Sequence, residues 1–173
     1  MESRLIQCAR AMAADIKLAH SVFALPFALL AGFLAAGGFM GWGNLGLILA
    51  CMFFARCFAM LCNRHADREL DAENPRTAGR AIPSGRISPG EAVAGLLMSA
   101  AGLVCCAAGF LAWGNFWPLL LSPAVLAWLA FYAWTKRFTS LCHFVLGSAL
   151  AISPPAAALA VTQANAEALG VAA

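Results

Sequence analysis

Five apolar runs, at about 20–38, 45–62, 91–112, 116–135 and 139–161, each have the length needed to cross the hydrocarbon core of a bilayer, about 20 residues. Few folds can use such runs. In lipid every backbone N–H and C=O must be satisfied internally, so the runs are expected to be helices. Composition excludes the soluble alternative. Apolar residues make up 62% of the 173 and charged ones 11%, against about 25% charged in an ordinary soluble domain. The expected fold is therefore all-α: a multi-pass transmembrane helical bundle of about five spans, forming a single membrane domain over residues 1–173. Seven cysteines fall mostly inside the apolar runs without a CxxC pair, which suits packing better than a metal or disulfide framework.

Punctuation between the runs supports this division. Gly-rich GGFMGWGN separates the first two, and WGN separates the third from the fourth. Ser88-Pro-Gly-Glu91 has the form of a helix start, with Ser at the N-cap, Pro at the first helical position and Glu three on. Pro123 and Pro154-Pro155 sit inside runs four and five, implying kinks or broken helices packed against neighbours. The first run follows an amphipathic lead, 1–19, and exceeds the ~7–15 apolar residues of a cleaved signal, so it is read as a span.

Basic residues give an orientation. Arg4, Arg10 and Lys17 precede the first span, Arg64, Arg68, Arg76, Arg80 and Arg86 lie between spans two and three, and Lys136 and Arg137 between four and five. The segments on the opposite side carry none; the remaining basic residue, Arg56, is inside span two. By the positive-inside rule the lead and the 63–90 loop are cytoplasmic. A multi-pass protein of the inner or plasma membrane is expected, with no nucleic-acid partner.

Chemistry concentrates where span two meets that side. Asn63, Asp67 and Asp71 are spaced i, i+4, i+8, drifting only about 40° per step around a helix, so they form one stripe. Arg56 lies about 20° off the stripe and ~10 Å deeper. Two carboxylates at i, i+4 repel each other, and a divalent cation reverses the sign. Magnesium suits the site, because it joins one or two carboxylates to a substrate phosphate. Arg56 would be costly against lipid and must face the bundle or a watery cavity. Arg76, Arg80 and Arg86 follow in a Pro- and Gly-rich loop, where cations beside a metal site suit a polyanion such as diphosphate. Tyr132 and Lys136 are i, i+4 and can point into the same cavity. The plain alternatives are a solvated helix end, a loop touching anionic headgroups, and snorkelling cations beside an interfacial aromatic.

Asn63-x3-Asp67-x3-Asp71, followed by Pro75-Arg-Thr-Ala-Gly-Arg-Ala-Ile-Pro-Ser-Gly85, resembles the first aspartate-rich motif and adjoining loop of the UbiA superfamily of membrane prenyltransferases. His20-Ser-Val-Phe-Ala-Leu-Pro-Phe and Tyr132-x3-Lys-Arg-Phe-Thr fit as well, pointing to the 4-hydroxybenzoate branch and its menaquinone-pathway relatives. The resemblance implies the first half of a nine-helix fold and transfer of a polyprenyl group from prenyl diphosphate to an aromatic acid acceptor. It implies that Asn63, Asp67 and Asp71 hold magnesium, and that Arg56, Arg80, Lys136, Arg137 and Tyr132 bind the diphosphate. Arg64 stands where the family often has Asp. No acidic residue occurs between Glu91 and Glu167, so the family's second aspartate-rich motif is missing and a fragment is expected. Naphthoate prenylation and a half-length chain that binds prenyl diphosphate without transfer remain alternatives. A cation-coupled transporter fits less well, since its polar residues should lie near the midplane.

Overall fold

In the computed structural model the described residues are 24–168 with Ile6 and Arg10, of which 163–168 are described by backbone alone. They form seven α-helices: α1 Leu25–Ala36, α2 Trp42–Ala66, α3 Arg68–Glu73, α4 Pro89–Gly109, α5 Trp117–Thr135, α6 Cys142–Ala151 and α7 Ser153–Ala168. No strand occurs among them. Four stretches are long and apolar enough to cross a membrane: α2, α4 with its 3-10 extension to Trp113, α5, and α6 with α7 to Thr162. α1 is a shorter apolar helix, which Gly37 ends in the left-handed conformation (φ 65°). The expected lead 1–19, the start of the first run and His20 lie outside the described residues, apart from Ile6 and Arg10.

Two interfaces hold the bundle. One is α1 against α7, where Ala28, Ile48, Phe110, Ala157, Ala160 and Val161 form the buried core. The other is α2 against α4, which run antiparallel with small residues opposite large ones. A β-carbon on Gly102 would sit 2.5 Å from the Phe54 ring, one on Gly109 2.9 Å from Leu47, and one on Gly43 2.6 Å from Trp113. Small residues let helices approach closely where lipid supplies no hydrophobic drive.

The fifth run is a broken helix, as its prolines suggest. α6 ends at Ala151 with Ile152 as its C-cap, and Pro154-Pro155 lie in the first turn of α7, where missing N–H groups cost little. The break is bridged to its neighbours: Trp128 Nε1 donates to Ser148 Oγ (3.1 Å). Asn115, the fully buried Asn of the WGN turn, donates to the Leu159 and Ala160 carbonyls (3.0 and 2.9 Å). The predicted start of α4 is present in full. Ser88 Oγ accepts from the Glu91 N–H (3.2 Å), and Glu91 accepts from the Ser88 N–H (2.7 Å).

Candidate functional site

The stripe of oxygen-bearing side chains crosses a junction between two helices without losing its backbone path. Helix α2 ends at Ala66, yet the Asp67 N–H still donates to the Asn63 carbonyl (3.0 Å) and the Asp71 N–H to the Asp67 carbonyl (2.8 Å). Asn63, Asp67 and Asp71 are therefore linked turn by turn across the junction with α3, although α2 and α3 are separate helices rather than one.

Both carboxylates are held by cations from distant parts of the sequence. Arg80 Nη1 lies 2.6 Å from both oxygens of Asp71. Lys136 Nζ lies 2.6 Å from Asp67 Oδ2. Side-chain exposure is 10% for Asp71 and 20% for Asp67, against 30% and 32% for Arg80 and Lys136, so the cations sit over the carboxylates on the open side. The loop between α3 and α4 is fixed to present Arg80. Thr77 Oγ1 donates to the Asp71 carbonyl (3.0 Å), and Asn74 Oδ1 accepts from the Arg76 N–H (3.0 Å). Ala81, Ile82, Ile87 and Ala92 form a small core beneath the loop, which Arg86 clasps through the Gly79 carbonyl (2.6 Å).

Arg137 stands beside this pair in a different relation. Its guanidinium donates to the Ala66 carbonyl, at the end of α2, and lies 5.0 Å over the Trp134 ring. It thereby ties the C-terminus of α5 to that of α2. Arg64 and Arg68, read as off the stripe, lie outside these pairs; Arg68 bonds Glu69 (2.9 Å) and the His65 carbonyl (3.0 Å).

Below the stripe is a cavity of about 840 Å³, walled mainly by apolar side chains of α1, α2, α5, α6 and α7. Arg56, Asn63 and Tyr132 are among its few polar lining residues. Arg56 thus faces the interior, as its position in a span requires. Asn63 Oδ1 and Arg56 Nε are buried without a hydrogen-bond partner. Such groups are costly in a native fold and call for a ligand, ion or water. An acceptor oxygen beside two carboxylates fits a hard cation, and an unmet guanidinium N–H fits an anion. Among the described residues no group of three or more His, Cys, Asp and Glu converges. A metal here would rest on two carboxylates, an amide oxygen and ligand phosphates, a donor set magnesium accepts.

Two contributors carry little mark in the sequence. Thr77 looks like an ordinary loop residue, and only its position six residues after Asp71, at the turn beyond a short helix, suggests a hydroxyl closing back. Asn115 sits in what reads as a separator between spans; a lone Asn between apolar runs is the available signal.

Comparison with known proteins shows what the chain as a whole is similar to. The model of the UbiA prenyltransferase family matches residues 24–173. The chain is 36% identical over 131 residues to a 4-hydroxybenzoate octaprenyltransferase of Chromohalobacter salexigens, covering 74% of this chain and 42% of that one. It is 35% identical over 133 residues to the protein of the same name from Pectobacterium atrosepticum, covering 75% and 44%. The apo structure of a UbiA homolog from Aeropyrum pernix K1 superposes with a TM-score of 0.77 at 34% identity, covering 90% of this chain and 55% of that one. The chain spans less than half the length of these curated relatives.

Proposed function

The chain belongs to the UbiA prenyltransferase family, and from that premise we propose that it forms the diphosphate half of a site that prenylates an aromatic ring. The donor is a polyprenyl diphosphate and the acceptor a 4-hydroxybenzoate-like acid, in quinone biosynthesis. One observation carries the proposal: an apolar cavity of about 840 Å³ has Arg56 and Asn63 in its lining, and Asn63 stands one helical turn before Asp67. Its volume falls within the roughly 300–1,000 Å³ usual for ligand sites. A prenyl tail would fill the apolar part while its diphosphate met the polar residues.

Asn63, Asp67 and Asp71 would hold magnesium, which when bound supplies Lewis-acid stabilisation of the departing diphosphate. The remaining work belongs to side chains. Arg56, Arg80 and Lys136 place positive charge where the leaving group gains negative charge. Tyr132, in the cavity lining, positions the head of the substrate. The apolar walls keep water from the allylic carbon, so that the electron-rich ring captures it. Arg137, engaged with Ala66 and Trp134, acts by keeping the ends of α2 and α5 together rather than by touching the diphosphate.

The test is transfer of a radiolabelled prenyl group in membranes containing the chain, with 4-hydroxybenzoate and a dihydroxynaphthoate in parallel. Magnesium-dependent prenylation of 4-hydroxybenzoate is expected from the complete site. Because the chain spans less than half of its curated relatives, prenyl diphosphate binding is measured alongside transfer. Failure of both binding and transfer defeats the proposal; transfer to the naphthoate alone replaces the acceptor.

A further inference from the structure

Each carboxylate assigned to the metal is already matched by a cation assigned to the diphosphate. Asp71 accepts from Arg80 at 2.6 Å on both oxygens, and Asp67 from Lys136 at 2.6 Å. The cations come from unrelated segments, nine residues on in a loop and 69 residues on at the end of α5. Both are the more exposed members of their pairs, 30% and 32% against 10% and 20%. A metal therefore reaches the two oxygens of Asp71 and Oδ2 of Asp67 only by displacing a cation. In contrast, Asn63 Oδ1 and Arg56 Nε, deeper in the same region, have no partner to give up.

We propose that Arg80 and Lys136 are counter-ions that exclude a divalent metal from the carboxylates until diphosphate arrives to take them. This rests on the function proposed above and adds to it an order of events. The charge balance carries the logic. With two carboxylates and two cations the resting pairs are neutral, so a metal entering alone meets repulsion from both cations and loses two close ion pairs. Diphosphate offers the same cations a new anion. The carboxylates are then released to the metal, two charges for two, and Arg56 stands by for the charge of the diphosphate that Arg80 and Lys136 do not match. Metal and diphosphate thus bind with positive coupling, which is reciprocal. The loop supplies the necessary movement at one side: Arg80 is a long side chain on a segment whose backbone is pinned separately by Thr77 and Arg86, so the guanidinium can turn without the loop unfolding. At the other side the end of α5 stays tied by Arg137 while Lys136 turns.

The experiment measures Mn2+ binding by the loss of its free EPR signal, on the full chain in nanodiscs without any substrate. Lys136→Gln and Arg80→Gln should each bind Mn2+ alone roughly fivefold more tightly than the wild type, the factor corresponding to loss of one competing partly exposed pair. Arg76→Gln, which removes an exposed cation of the same loop that is not paired with either carboxylate, should change it by less than about twofold. Equilibrium dialysis with preformed manganese pyrophosphate supplies the second arm. The wild type should prefer the complex over the bare ion, and both glutamine variants should lose most of that preference. Unchanged Mn2+ affinity in both variants, or an equal gain in Arg76→Gln, overturns the counter-ion proposal. Asp71→Asn separates the two levels: if it leaves binding of preformed manganese pyrophosphate intact, the metal site itself is misplaced and the proposed function falls with it. Since the two pairs are independent, poor folding of one variant leaves the other to decide.

Discussion

Asn63 shows how a single atom separates a functional residue from a structural one. Its Oδ1 is buried with no partner, and an unsatisfied acceptor costs about 1–3 kcal/mol. Asn44 Oδ1 is also buried without a partner, so it is the place of Asn63 in the cavity lining, one turn before Asp67, that points to a ligand. Asn63→Leu should therefore leave thermal stability unchanged or raise it, while binding of manganese pyrophosphate weakens by about tenfold or more. Melting and manganese pyrophosphate titration on the same sample check both signs; a fall in stability with unchanged binding would make Asn63 a packing residue. Thr77 should behave in the opposite way. Thr77→Val removes the bond to the Asp71 carbonyl and should lower stability by about 1 kcal/mol. The stripe itself was legible from spacing, because i, i+4, i+8 survives even the change of step at Asp67. The partners were not. Helical periodicity says nothing about where a Pro- and Gly-rich loop delivers Arg80, or that Arg137 turns to the end of α2 while its neighbour Lys136 turns to Asp67.

At the scale of helices, the α2–α4 pair is one of the two main interfaces of the bundle. Gly102 faces Phe54 and Gly109 faces Leu47, seven residues apart on each helix. That spacing returns to nearly the same face, so both contacts belong to one seam. Gly102→Ala places a methyl 2.5 Å from a ring, and overpacking of this kind costs typically about 1–3 kcal/mol. The variant should melt lower than wild type, and Phe54→Leu in the same chain should restore part of the loss. Gly147→Ala, with open space around it, should melt like wild type in the same nanodisc assay. Hydropathy finds such helices but not their facing sides, since lipid and neighbours are both apolar. That is why four spans and the capping box at Ser88 were readable in sequence, whereas the Gly–Phe seam was not. The start of the first run and the amphipathic lead lie beyond the described residues, and the fifth run proved to be two helices meeting at Ile152.

Across the whole molecule the polar chemistry gathers at one end. Lys136 on Asp67 and Arg137 on Ala66 join the C-termini of α5 and α2, and the loop bearing Arg80 closes onto the same place. The opposite end carries Gly43 against Trp113 and the Asn115 bonds to α7. One charged end, one uncharged end and apolar helices between them define a membrane axis, and the charge asymmetry gives that axis a sign. With Arg64, Arg68, Arg76, Arg80, Arg86, Lys136 and Arg137 at the motif end and no Lys or Arg between 38 and 45 or between 113 and 117, the motif end should face the cytoplasm. Diphosphate would then enter from the aqueous cytoplasmic side while the tail lies in the apolar cavity below. The orientation can be read with a membrane-impermeant maleimide on a chain whose seven cysteines are replaced. Arg76→Cys, in the exposed loop, should label in inside-out vesicles and stay protected in intact cells. Phe39→Cys, exposed at the other end, should show the reverse. Labelling of Arg76→Cys from outside intact cells would turn the molecule over and leave its basic loop without a soluble diphosphate to meet.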